Sequence, residues 1–178
     1  MTADDLKSLI RTVPDFPKPG ILFRDITTLI GHGEGMAAAV GMLTDAARKA
    51  GAQAIAGIEA RGFIFGAGVA DRLKLGLVPV RKPGKLPVPV IALDYALEYG
   101  TGTLEVDPGA VRAGERVVLI DDLIATGGTA LAAAQLLRQA GAVVDTALFV
   151  IDLPDLGGAD RLREAGIAWA SIMEFSGH

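Results

Sequence analysis

Two adjacent carboxylates, Asp121 and Asp122, follow the apolar run Val117-Val118-Leu119-Ile120. They lead through Leu123-Ile124 into Ala125-Thr126-Gly127-Gly128-Thr129 and an alanine-rich segment. This order reads as strand, two acids, hydroxyl and glycine loop, helix. Glycines let backbone N–H groups approach an anion, the threonines add hydroxyl donors, and a helix start carries partial positive charge, which together suit a phosphate monoester. Neighbouring carboxylates repel each other if merely buried, but they can accept hydrogen bonds from a sugar diol, directly or through Mg²⁺. Phosphate and diol together point to a ribose 5-phosphate. A Walker loop is excluded because no lysine follows the glycines. Gly66-Ala67-Gly68 lies inside a helical pattern and makes a poor dinucleotide fingerprint.

Three further groups have chemical potential. Glu59-Ala60-Arg61-Gly62 ends another buried run, Arg81, Lys82 and Lys85 form a cationic cluster in a Pro/Gly loop, and Glu98-Tyr99 sits between two strand patterns. Taken alone, the cations read equally well as a solvated surface, and Glu98 as an exposed hairpin residue. His32 suits a local capping or solvated role, and two distant histidines, His32 and His178, make no metal site. Trp169 suits core or subunit packing, and Ser8, Ser171 and Ser176 lack a nucleophile-elbow setting.

Positioning these groups requires a sheet. Thr2 and Asp5 predict a helix cap, with Leu6, Leu9, Ile10 and Val13 forming a helical stripe up to Pro14. Pro14, Pro17, Pro19 and Gly20 predict an irregular but packed loop through Phe23. Buried strands are expected at 54–58, 77–80, 117–120, 143–151 and 168–173. Helices are expected around 36–47, 63–74, 130–137 and 159–165, and a Gly-rich hairpin at 90–106. Strands separated by helices predict an α/β fold with a mainly parallel sheet. Ligands of such sheets gather beyond the strands' carboxyl ends.

Composition narrows the class. The 178 residues carry 17 Lys+Arg against 21 Asp+Glu, a net charge of −4, which argues against a nucleic-acid partner. The 51% hydrophobic content is enough for one core. Mean hydropathy is +0.42, but no apolar run approaches the ~20 residues of a membrane span. The absence of cysteine removes disulfides and thiol chemistry and makes the cytoplasm the expected setting.

Residues 117–130, VVLIDDLIATGGTA, resemble the signature of the type I phosphoribosyltransferases. Further matches follow across nearly the whole chain: FPKPGILFRDIT at 16–27, GIEARGFIFG at 57–66, VPVRKPGKLP at 78–87, LEYGTGTLE at 97–105 and a closing GH. The DDLIATGGT wording is similar to that of the adenine-using members. The resemblance implies one domain, 1–178, with a mainly parallel twisted sheet flanked by helices. It also implies an N-terminal helix and base-binding hood at 1–32 and a flexible β-hairpin lid at 82–105. The implied reaction is that of a purine-salvage glycosyltransferase, joining adenine to phosphoribosyl pyrophosphate (PRPP) with Mg²⁺ and yielding AMP and pyrophosphate. A homodimer is also implied.

Carried over by matching position, Ala125, Thr126, Gly127, Gly128 and Thr129 would hold the 5-phosphate, while Asp121 and Asp122 would face the ribose hydroxyls and assist a Mg²⁺ bound mainly through PRPP. Glu59, Ala60 and Arg61 would form the pyrophosphate loop, aided by Arg81, Lys82 and Lys85. Glu98 would be the acid/base group near N7 of the purine, and Tyr99 would steady the lid. Leu22, Phe23 and Arg24 would lie over the base with Leu153 opposite. The implied catalytic set is Glu98, Asp121, Asp122 and Arg61. A transferase for another 6-substituted purine and a non-catalytic PRPP-binding regulator remain alternatives. A phosphoacceptor receiver does not fit, because the acid pair lies late in the chain and runs straight into TGGT.

Overall fold

The Thr2 hydroxyl accepts from the Asp5 N–H at 3.2 Å and the Asp5 carboxylate accepts from the Thr2 N–H at 2.7 Å, so a reciprocal cap opens helix α1 (Ala3–Ser8). The structure, a computed structural model, describes residues 1–97 and 100–177. The helical stripe expected to reach Pro14 stops at Ser8, because β1 (Arg11–Pro14) pairs antiparallel with β2 (Leu22–Asp25). Leu6 and Ile10 of that stripe are nevertheless buried. The pairing also gives regular structure to part of the segment that its prolines made look irregular.

Asp25 pins this ribbon. Its carboxylate accepts from the Thr27 hydroxyl at 2.6 Å and the Thr27 N–H at 2.9 Å, and pairs with Arg11. These bonds, the Thr27 hydroxyl foremost, lower its pKa from 3.8 to about 2. A depressed acid contributes stability that is present above its unfolded pKa and is lost as pH falls through its folded value. The stability gap between wild type and Asp25→Asn should therefore be full above about pH 4 and close by about pH 2. Chemical denaturation across that range checks this, and a gap independent of pH would refute it.

After α2 (Thr27–Ile30), His32 caps α3 (Gly33–Lys49) by accepting from the Gly35 N–H at 3.0 Å, in keeping with the local role read from its position. Then follow β3 (Ala54–Ile58), α4 (Arg61–Leu73), β4 (Leu77–Val80), β5 (Ile91–Leu97), β6 (Gly100–Val106), β7 (Val117–Ile124), α5 (Gly128–Gln139), β8 (Thr146–Asp152), α6 (Gly158–Glu164) and β9 (Ala168–Glu174). A five-stranded sheet has the order β4-β3-β7-β8-β9, every neighbouring pair parallel.

The continuous apolar run in β7 follows from burial on both faces. Val117 and Leu119 pack with Ala130 and Ala133 of α5, while Val118 and Ile120 pack with Leu43 of α3 and Phe65 of α4. From β3 the chain moves outward to β4 and later returns to β7 on the other side, so strand order reverses between β3 and β7. A crevice at such a point is the usual ligand position in an open α/β sheet. Strands β5 and β6 form a separate antiparallel hairpin. Its root is docked: Leu104 and Val106 are buried, and Ile91, Leu93 and Tyr95 pack against the α5 side of the core.

Candidate functional site

Strand order brings together segments remote in sequence. Ile58 pairs with Val80, and Gly57 with Ile120. The Glu59–Arg61 turn therefore lies between the Arg81–Lys85 loop and the β7 acids. Beyond these strand ends is a cavity of about 350 Å³, lined by Glu59, Ala60, Arg61 and Lys82 on one side and by residues 121–130 on the other. Tyr95 and Leu104 of the hairpin complete the wall.

The acids do not follow the strand, as the apolar run suggested, but lie within it. β8 continues alongside to Asp152 and extends the ladder, which passes Asp121↔Phe149 and resumes at Leu123↔Ile151. At the break, the Asp122 N–H donates to the Asp121 carboxylate at 2.9 Å. The Asp122 side chain is 8% exposed, and it accepts from Arg61 Nε at 2.5 Å. Burial opposes the Arg61 charge, but the hydrogen bond and charge of Asp122 outweigh it and hold the Arg61 pKa above its ordinary value. Desolvation pushes the Asp121 carboxyl well above the usual carboxylate range, and the Asp122 charge adds to that shift. Gly62 permits the close approach: a Cβ there would meet Asp121 Oδ1 at 2.8 Å and the Ile120 carbonyl at 2.9 Å.

On the pyrophosphate side of the expected site, the Glu59 carboxylate accepts from Arg81 Nε at 3.2 Å and the Lys82 N–H at 2.8 Å. Arg81 also donates to the Lys85 carbonyl at 3.4 Å. Lys82 lines the cavity, whereas Arg81 and Lys85 do not. The Glu59–Ala60 peptide bond is cis.

The glycine loop turns at Gly127, φ +81°, and releases the chain into α5. Sequence reasoning missed its supports. Arg161 of α6 donates to the Thr126 carbonyl at 2.7 Å, and the Gly158 N–H donates to the Ala125 carbonyl at 3.0 Å. The Gly157-Gly158 pair was the available signal, but nothing local tied it to a loop thirty residues earlier.

Leu22, Phe23, Arg24 and Leu153 do not line this cavity. Arg24 instead meets the C-terminal segment, donating to the Ser176 carbonyl at 2.9 Å with its guanidinium 4.7 Å from the Phe175 ring centre, while the Phe23 ring packs edge-on against Phe16 at 5.1 Å. The Gly177 N–H donates to Asp155, just after Leu153, at 2.7 Å. The Leu153 N–H donates to the carbonyl of Ile124, a cavity residue, so the two regions adjoin.

Residues 36–164 match the family model for the phosphoribosyl transferase domain. The chain is 71% identical over 178 residues to the adenine phosphoribosyltransferase of Erythrobacter litoralis, covering 100% of both chains. The chain belongs to the adenine phosphoribosyltransferase family. The crystal structure of adenine phosphoribosyltransferase from Thermoanaerobacter pseudethanolicus superposes with a TM-score of 0.92 at 45% identity, covering 98% of this chain and 100% of that one. The Saccharomyces cerevisiae enzyme, complexed with an iminoaltritol bisphosphate and adenine, gives 0.90 at 34% identity, covering 96% and 98%.

The match to the Erythrobacter litoralis relative also takes in residues 1–35 and 165–178, which lie outside the family match at 36–164. Glu98, Tyr99 and His178 lie outside the described residues. Among the described residues no helix is long and apolar enough to cross a membrane.

Proposed function

We propose that the chain transfers the 5-phosphoribosyl group of PRPP to N9 of adenine, forming AMP and releasing pyrophosphate. The observation that carries this reading is one cavity at the β3/β7 crevice, where a threonine and glycine loop at a helix start faces two carboxylates and the Arg61 and Lys82 cations. The cavity suits a phosphate at one end, a diol in the middle and a second anion beyond. The adenine bound in the yeast relative supports the choice of base.

In this reading, Ala125 to Thr129 hold the 5-phosphate, and Asp121 and Asp122 accept from the ribose hydroxyls. Glu59, Ala60 and Arg61, with Arg81, Lys82 and Lys85, receive the pyrophosphate. The C1′–oxygen bond to pyrophosphate breaks as the C1′–N9 bond forms, and positive charge builds on the sugar. Fixed carboxylates near that charge and cations near the departing anion lower the barrier without reorganising. Glu98 takes the proton released from the imidazole part of the purine through N7. Leu22, Phe23, Arg24 and Leu153 enclose the base under the hood, 1–32. The 82–105 hairpin, with Tyr99, closes over the sugar and excludes water.

The donor set fits Mg²⁺ carried by its substrate. Hard oxygens are offered by Asp121 and Asp122, yet among the described residues no group of three or more His, Cys, Asp or Glu could hold a metal unaided. Mg²⁺ commonly takes one or two carboxylates together with substrate phosphates and water. When bound it neutralises charge on the leaving pyrophosphate. The enzyme works in the cytoplasm as a homodimer, each protomer a single domain, 1–178.

A radiolabelled-base panel with PRPP and Mg²⁺ tests the assignment. Adenine should give labelled AMP with equimolar pyrophosphate, and hypoxanthine, guanine and xanthine much less. Pyrophosphate release with another base only, or with none, would overturn it.

A further inference from the structure

Tyr95 occupies a position that the roles above leave unused. It lies on β5 opposite Gly102, and a Cβ at Gly102 would meet its ring at 2.8–3.0 Å, so the ring lies across the partner strand where only glycine leaves room. With Ile91 and Leu93 it packs against the α5 side of the core. Tyr95 also lines the cavity, where its hydroxyl accepts from the Thr129 hydroxyl at 3.5 Å. The next residue also touches the glycine loop: a Cβ at Gly128 would lie 3.3 Å from the Ala96 carbonyl.

Resting on the functional reading above, we propose that Tyr95 is a positioning residue of the 5-phosphate subsite, acting through Thr129. A hydroxyl has one hydrogen to donate and two lone pairs with which to accept. When Thr129 donates to a phosphate oxygen, its oxygen becomes the acceptor for the Tyr95 O–H. The chain Tyr95 to Thr129 to phosphate orients the threonine hydroxyl, and each bond polarises the next. It also ties the docked root of the hairpin to the filled subsite, so phosphate occupancy holds the lid's base in place.

Calorimetric titration with ribose 5-phosphate and separately with pyrophosphate tests this. Tyr95→Phe keeps the ring and its packing, and should weaken ribose 5-phosphate binding about 3- to 10-fold, the range for one net hydrogen bond, with pyrophosphate binding unchanged. On a Thr129→Ala background the same substitution should add nothing, a non-additivity that a purely structural role for the phenol would not produce. Unchanged ribose 5-phosphate binding by Tyr95→Phe, equal loss for both ligands, or additive losses would overturn the proposal while leaving the subsite standing. Failure of the unaltered protein to bind ribose 5-phosphate would overturn the subsite reading itself.

Discussion

Asp122→Asn should lower turnover by about 10²–10³, the usual cost of removing one preorganised transition-state contact. The substitution keeps the shape of a nearly buried side chain and removes only its charge. Two effects then act together. The carboxylate no longer faces the cationic sugar, and Arg61, whose guanidinium is held by that carboxylate at 2.5 Å, loses its anchor beside the leaving group. Arg61→Ala should fall in the same range through the second effect alone. The double variant should lose much less than the product of the two, because contacting residues are not independent. Steady-state rates at saturating adenine and PRPP, with thermal melts to confirm folding, provide the check. Normal turnover in both single variants would remove the acid–arginine pair from the mechanism.

That pairing shows where the sequence can and cannot be read. The apolar run in β7, the glycine loop after it and the helix that follows carry their periodicity and turn chemistry locally, so the central strand and its phosphate-type loop were legible. The parallel sheet followed from alternation. What was not legible depended on contacts between distant segments. β7 extends through both acids only because β8 continues beside it, and Asp122 is tolerated inside because Arg61 arrives from the turn after β3.

The N-terminal segment is the same case in reverse. Leu9, Ile10 and Val13 continued a helical stripe, yet antiparallel pairing with 22–25 and the Arg11–Asp25 ion pair redirected the chain at Ser8. Tyr95 carried no motif at all. Its position follows from the register that sets it against Gly102 and from the docking of the hairpin on α5. Arg24 and Asp155 likewise come together through Phe175, Ser176 and Gly177, a tail whose sequence shows no periodicity to predict its path.

Gly158→Ala should raise the KM for PRPP at least about tenfold while costing roughly 1–3 kcal/mol of stability, as overpacking of a tight site does. The added methyl would sit 2.4 Å from the Ala125 carbonyl oxygen, 2.8 Å from Ile124 Cγ1 and 2.9 Å from the Gly127 nitrogen. Two of those atoms are backbone, so no side-chain rotation relieves the clash, and α6 or the glycine loop must move. Either movement breaks the Gly158 N–H bond to Ala125 and draws Arg161 off the Thr126 carbonyl, loosening the amides that would grip the 5-phosphate.

Gly157→Ala separates this from general destabilisation. A Cβ at Gly157 meets nothing within 4 Å, but its φ of +74° makes alanine unfavourable by about 1–2 kcal/mol. That variant should melt earlier yet keep its KM for PRPP, whereas Gly158→Ala should lose both, with the KM for adenine little changed in either. A Gly158→Ala protein with normal PRPP saturation would mean that α6 does not hold the loop, and that the loop's conformation is set by Gly127 and the start of α5 alone.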